Sequence, residues 1–299
     1  MITTTISDGL SLGPGSCALV VQPSDDEASE MEFDSFVLDW TEREGSKLTA
    51  LGFVARRLVE LNGSAVVLGR LGDITHISGQ DISGKELIEG PEDIGFLTDM
   101  CVIDGVVYAA GMSRQIYMRE ESGAWRRIDE DVLDESISVD LITGFRSIDG
   151  VQGDVFAVGF QGEIWNRRDG SWIQVQSPTN VTLEQVKVIR PGEVYAVGQA
   201  GVIVHGKDGT WKICEQSETE DDFWGIEWFG DVLYLATGRQ IFRFDGESEL
   251  EAVQLPAQNP GFTARLRAGH GALWSFGPSQ AFWTENGRDW NEARFESKG

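Results

Sequence analysis

A short phrase of apolar residues closing on glycine returns along this chain at intervals near forty residues, and that recurrence constrains the fold more than any other feature. Asp154-Val-Phe-Ala-Val-Gly-Phe-Gln-Gly-Glu-Ile-Trp165 and Glu193-Val-Tyr-Ala-Val-Gly-Gln-Ala-Gly-Val-Ile-Val204 are its fullest forms. Shorter versions are Ala65 to Gly69, Val107 to Gly111, Leu233 to Thr237 and Leu273 to Gly277. The anchors Gly69, Gly111, Gly159, Gly198, Thr237 and Gly277 are 42, 48, 39, 39 and 40 residues apart. A second marker keeps the same phase: Trp172, Trp211 and Trp290 each stand 13 residues after an anchor, and Trp125 stands 14 after its own. Leu250 takes the place of the tryptophan after Thr237.

Each unit reads as four short strands. In one unit these are 183–189, 193–198, 202–205 and 210–214, separated by Pro191-Gly192, Gly198 to Gly201 and Lys207-Asp208-Gly209. Asp-Gly between apolar runs is a hairpin signal, because the tight turn needs positive φ. Asp169-Gly170, Asp245-Gly246 and Asn286-Gly287 stand at the same place in other units. Four strands per unit, six times over, predict an all-β chain built as a single β-propeller domain over 1–299. In residues 1–50, Cys17 to Gln22, Phe33 to Trp40 and Ile2 to Ile6 read as strands of an additional, irregular blade, which gives seven. Six blades with an N-terminal extension is the alternative. Leu48 to Leu61 has apolar spacing compatible with a helix, but the repeat demands an inner strand near Phe53 to Leu58.

The motif Val-x-Ala-Val-Gly-x-x-Gly-x-Ile followed by Asp-Gly-x-Trp, clearest at 155–172 and 194–211, resembles propellers of the BNR/Asp-box and photosystem-assembly-factor type, a WD40-like architecture. The resemblance covers about residues 50–299. It implies a fold shared by assembly factors, glycosidases and binding scaffolds, and does not choose among them.

Charge narrows the choice. With 24 Lys+Arg against 49 Asp+Glu the formal net charge is −25. Nucleic acid and anionic membrane surfaces repel such a chain, whereas a basic protein attracts it. Three cysteines, Cys17, Cys101 and Cys214, make no disulfide framework and read as reduced thiols of a cytoplasmic protein. No apolar run is long enough to span a membrane, and the first residues carry no secretory signal pattern.

The phased tryptophans read as core that packs each outer strand against the next blade. His76, His205 and His270 lie in different repeats without metal-ligand spacing, so no metal or other cofactor is expected. The Asp-box resemblance implies sialidase chemistry as a possibility, which needs an arginine cluster. Arg190, Arg265 and Arg267 occupy inner strands but match no such arrangement, and Lys207 to Trp211 is only a fragment of an Asp-box. No nucleophile elbow, Walker loop, zinc-protease or dinucleotide motif occurs. The expectation is a protein without enzymatic activity and with no catalytic residues.

The acidic residues are clustered. One run holds Asp25, Asp26, Glu27, Glu30, Glu32 and Asp34. The others hold Glu89, Glu92 and Asp93, then Asp129, Glu130, Asp131, Asp134 and Glu135, then Glu215, Glu218, Glu220, Asp221 and Asp222. In the strand reading, the last three all join the outer strand of one blade to the inner strand of the next. They are therefore expected on one end of the blades, beside the loops between second and third strands. Phe223 and Trp224 follow the last run directly, and Trp224 is the expected aromatic anchor within it. A bland reading makes these runs a solvated rim. The functional reading makes Glu92, Asp93, Asp129, Glu130, Asp131, Asp134, Glu135, Glu218, Glu220, Asp221, Asp222 and Trp224 a surface for a basic protein partner. Its sharpest form is an immunity protein that neutralises a bacterial toxin of the nuclease type. The alternatives are an assembly factor or scaffold and, less favoured, a carbohydrate-active enzyme.

Overall fold

The computed structural model describes residues 4–23, 35–43, 45–79, 81–132, 143–256 and 263–295. Their strands form seven four-stranded antiparallel sheets, the blades of a β-propeller fold. In chain order the blades occupy residues 4–50, 55–87, 97–127, 145–175, 183–213, 225–252 and 265–293. The described residues within 1–50 thus supply a blade, including strand Ser16–Pro23, and the segment weighed as a helix overlaps strand Gly45–Ala50 and holds strand Ala55–Leu61. The run from Asp25 to Asp34, and Asp134 and Glu135, lie outside the described residues.

The fifth blade shows how sequence builds the unit. Strands Leu183–Arg190, Glu193–Gly198, Ile203–Lys207 and Thr210–Ile213 pair in sequence order. Lys207 pairs with Thr210 across a two-residue turn in which Asp208 and Gly209 both have positive φ, 49° and 81°. That is the turn whose twist suits a hairpin. The anchors end the second strands, at Gly69, Gly111, Gly159 and Gly198, while Thr237 and Gly277 directly follow theirs. Glycine is needed there because of close approach. A Cβ on Gly111, Gly159 or Gly198 would strike the carbonyl oxygen of Phe96, Gly144 or Thr182 respectively. Each of those carbonyls belongs to the connector that enters the blade.

By packing, the chain forms two compact units: 1–69, 75–84 and 224–299, and then 70–74 and 85–223. In the first unit, the first blade packs on the last through Cys17, Leu19, Trp40, Trp274, Phe276 and Trp283. The Trp274 indole N–H donates to the Gly13 carbonyl at 3.0 Å, and the Ile6 N–H to that of Pro278 at 2.8 Å. In the second unit, one core lies between the third and fourth blades and another between the fourth and fifth.

The phased tryptophans face the preceding blade, not the next. Trp172 is buried in the core with the third blade, and its indole N–H donates to the Ile128 carbonyl at 2.8 Å. Trp211 meets Phe156 of the fourth blade edge-on at 5.7 Å, and Trp290 packs with Tyr234 and Ala236 of the sixth. Trp125 donates to the Glu86 carboxylate at 2.9 Å. Alternation along a strand tells which residues share a face. It does not tell which neighbour that face meets.

Candidate protein-interaction site

Of three acidic connectors of the second unit, the first and the third are hydrogen-bonded to its second-to-third-strand loops, and the second reaches the fourth blade beside its last hairpin. The first runs from Ile88 to Phe96 and contains the short helix Pro91–Ile94. The Ile88 N–H donates to the Gly72 carbonyl and the Leu97 N–H to that of Arg70, both at 2.9 Å, so the connector is tied at its two ends to one loop. From the other side the Ser113 hydroxyl donates to the Ile94 carbonyl at 2.6 Å, and the Gln115 amide to that of Gly95 at 2.7 Å. Glu89, Glu92 and Asp93 are exposed.

The second connector carries Asp129, Glu130 and Asp131. Asp129 is only 1% exposed, with its carboxylate against the Arg127 guanidinium at 2.8 and 2.9 Å. It therefore belongs to the fold and leaves the expected surface. Asp131 is exposed, and its carboxylate accepts the Trp172 backbone N–H at 3.1 Å, so it also bridges two blades. Glu130, between them, is exposed.

The third connector runs from Cys214 to Phe223 and is shaped by Gln216. The amide of Gln216 donates to the Gly201 and Thr219 carbonyls at 3.1 and 2.6 Å, while its oxygen accepts the N–H groups of Glu218 and Thr219. Asp222, half-buried, accepts the Ala200 N–H at 2.8 Å. Ala200 has φ 53°, an uncommon value for alanine that this bond helps hold. Glu215, Glu218, Glu220 and Asp221 are exposed. Phe223 is fully buried. Trp224, the first residue of the other unit, is half-buried, and its N–H donates to the Ala236 carbonyl at 2.8 Å.

The expected residues thus divide. Glu92, Asp93, Glu218, Glu220 and Asp221 are exposed on connectors tied to second-to-third-strand loops of the second unit, whereas Glu130 and Asp131 are exposed on a connector whose Asp131 is bonded beside the hairpin at Asp169-Gly170, so the structure does not bring all the expected acids together. Asp129 is structural, Asp222 serves a loop, and Trp224 is only partly accessible. Phe96 and Leu71 are apolar residues of the same region that the repeat pattern does not reveal, each 38% exposed. The available signal was positional: Phe96 stands immediately before a first strand, as Trp224 does.

The opposite, hairpin end of these blades uses its carboxylates differently. Asp104 accepts the N–H groups of Gln152 and Gly153, and Asp154 accepts that of Gly192 at 2.9 Å. Burial opposes ionisation of Asp154, but Arg168, the Gly192 N–H and the Asn166 amide outweigh it and hold its carboxyl below the usual range. His205 stacks on Tyr195 at 4.2 Å and lies 3.5 Å from Glu193. Burial depresses its pKa, partly offset by Glu193.

Among the described residues, no group of three or more His, Cys, Asp or Glu is arranged to hold a metal, and no helix is long and apolar enough to cross a membrane. His270 pairs with Glu60 at 2.6 Å. Arg190 pairs with Glu193, and Arg267 lies 3.5 Å from Asp8. Cys17 and Cys214 are buried and Cys101 is partly exposed, and none of the three is in a disulfide.

No family model matches the chain. The immune protein Tsi7 of Pseudomonas aeruginosa is 31% identical over 230 residues, which span 76% of this chain and 74% of that protein. Among solved structures, the WD40 β-propeller domain of Doa1 matches with a TM-score of 0.68 at 13% identity, covering 93% of this chain and 91% of that one. YCF48 from Cyanidioschyzon merolae matches with 0.69 at 13% identity, covering 94% and 95%. YCF48 bound to a D1 peptide matches with 0.51 at 14% identity, covering 78% and 71%. These structural likenesses show the fold.

Proposed function

The chain belongs to the family of the immune protein Tsi7, and from that premise we propose that it is an immunity protein that binds and neutralises a cognate toxin. The relationship over three-quarters of the chain is the observation that carries this reading. The protein acts by binding, without catalysis, in the cytoplasm where the toxin would otherwise reach its target.

The binding surface is the acidic end of the second unit, with Glu92, Asp93, Glu218, Glu220 and Asp221 facing solvent. The partner surface is basic, and a nuclease toxin fits best, because an enzyme that holds phosphate must be basic at its site. Opposed charge raises encounter rates and suppresses wrong partners. The −25 net charge exceeds the magnitude of roughly 2–8 that serves a small domain's solubility. An assembly-factor role has only a likeness of fold behind it.

The test is co-expression. Each open reading frame beside the gene is expressed in a host lacking both genes, alone and with this chain. One of them is expected to stop growth alone and to be tolerated with the chain, and the two proteins are expected to co-purify. A neighbour that remains toxic despite soluble chain, or the absence of any toxic neighbour, overturns the reading.

A further inference from the structure

We propose that Leu71 and Phe96 form a preformed apolar anchor on the acidic end of the second unit, and that it receives an apolar side chain flanked by lysine or arginine on a protein partner. For the partner's identity this rests on the immunity reading; the chemistry stands on the surface itself. Leu71 and Phe96 are each 38% exposed. The other strongly exposed large apolar side chains among the described residues sit on strands, mostly the fourth strand of a blade. These two sit on loops. The loops are joined, because the Leu97 N–H bonds the Arg70 carbonyl and the Ile88 N–H bonds that of Gly72. Arg70 is itself buried, and its guanidinium lies 4.6 Å from the centre of the Phe96 ring. One face of the ring is thereby backed by a cation.

The support behind the ring is rigid. The Phe96 carbonyl accepts the Met112 N–H at 2.9 Å. The Ser113 hydroxyl and the Gln115 amide hold the two preceding carbonyls, those of Ile94 and Gly95. Ser113 and Arg114 are consecutive residues with left-handed φ, 55° and 57°, a conformation that non-glycine residues keep only where surroundings enforce it. Here the enforcement includes the paired bonds from Arg114 to the Glu163 carboxylate, at 2.7 and 2.6 Å. An anchor already held in place loses little freedom on binding, which is what makes an exposed aromatic an affinity determinant.

The surround chooses the occupant. From Ile88 to Leu97 the chain carries Glu89, Glu92 and Asp93, all exposed, and no lysine or arginine. A basic segment complements that charge. A second copy of this chain, at −25, is repelled by it.

The test uses the full chain, labelled for amide NMR, and two synthetic pentapeptides. One has phenylalanine between two pairs of lysines, and the other has serine in its place. The phenylalanine peptide is expected to shift the Leu71, Ile94 and Phe96 signals and to bind at least tenfold more tightly than the serine peptide. Phe96→Ala is expected to abolish that preference and Phe96→Leu to keep it, with the remaining spectrum unchanged. Glu92→Lys with Asp93→Lys is expected to weaken both peptides. No preference for phenylalanine, a preference that survives Phe96→Ala, or concentration-dependent shifts at this patch without peptide would overturn the proposal. Growth protection separates the two claims. Protection by wild type and equally by Phe96→Ala sinks the anchor and spares the immunity reading. Peptide binding as described without protection by wild type does the reverse.

Discussion

Two groups of carboxylates in the second unit have different work: some at the hairpin end satisfy donors of the next blade, and those along the first and third connectors mostly face solvent. At the hairpin end, Asp104 and Asp154 each accept backbone N–H groups of the following blade, and Asp154 also binds Arg168 and Asn166. At the connector end, Glu92, Asp93, Glu218, Glu220 and Asp221 face solvent. A carboxylate that satisfies a neighbour's donors stabilises the fold. A carboxylate left in water contributes little to stability and remains available to a partner. Asp129 shows that the boundary runs between adjacent residues: it is buried against Arg127, while Glu130 beside it is exposed.

The largest effect expected in the unit belongs to neither set of charges. Trp172→Ala empties the core between the third and fourth blades and should cost about 3–5 kcal/mol. Calorimetry checks this, and it also tests whether residues 1–299 behave as one domain. A single transition that moves as a whole supports one domain; two transitions, only one of them shifted, would show that the compact units unfold separately.

Next comes the contrast itself. Asp154→Ala leaves the Gly192 N–H without its partner and removes one acceptor of the buried Asn166 amide, and should cost about 1–3 kcal/mol. Glu220→Ala should stay within about 0.5 kcal/mol. Denaturant titration of both variants checks the pair, and equal losses would erase the distinction between the two ends.

A smaller effect appears with pH. The pKa of His205 is depressed by burial, so its neutral form is favoured in the folded state. Its contribution is whole above the ordinary value of 6.5 and declines as pH falls through that value, where the unfolded chain takes the proton first. Asp154, also depressed, acts lower, losing its contribution as pH falls below 3.8 toward its folded pKa. His205→Gln should flatten the stability curve just below about pH 6.5 and leave the Asp154 region unchanged. Stability measured across that range checks the sign.

The fold was legible because its signals are local and repeated. Asp208-Gly209 declares a turn, and Gly198 declares a close approach, wherever they stand. The side to which Trp172 turns was not legible, since period-two alternation is silent about which neighbour a face meets. Nor was the inward turn of Asp129. Residues 129–132 form a turn closed by the Val132 N–H on the Asp129 carbonyl, and Asp129 folds back onto Arg127, so the run of three acids does not point one way. Phe96 escaped because its exposure depends on a loop from a different stretch of chain, the one containing Arg70 and Leu71.

The central claim is that the connector carboxylates, not the charge of the chain as a whole, recognise the partner. Two triple variants remove equal charge: Glu92→Gln, Glu218→Gln and Glu220→Gln at the connector end, and Glu121→Gln, Asp169→Asn and Asp208→Asn at the hairpin end. Asparagine tolerates the left-handed φ of Asp169 and Asp208, 52° and 49°, so the second set keeps its turns. The measurement is the association rate with the cognate toxin at about 0.1 M and about 1 M salt, where the screening length falls from ~10 Å to ~3 Å. The account predicts that the connector set slows association several-fold at low salt and loses most of that effect at high salt, while the hairpin set matches wild type at both. Equal slowing by the two sets, or none by either, would contradict it.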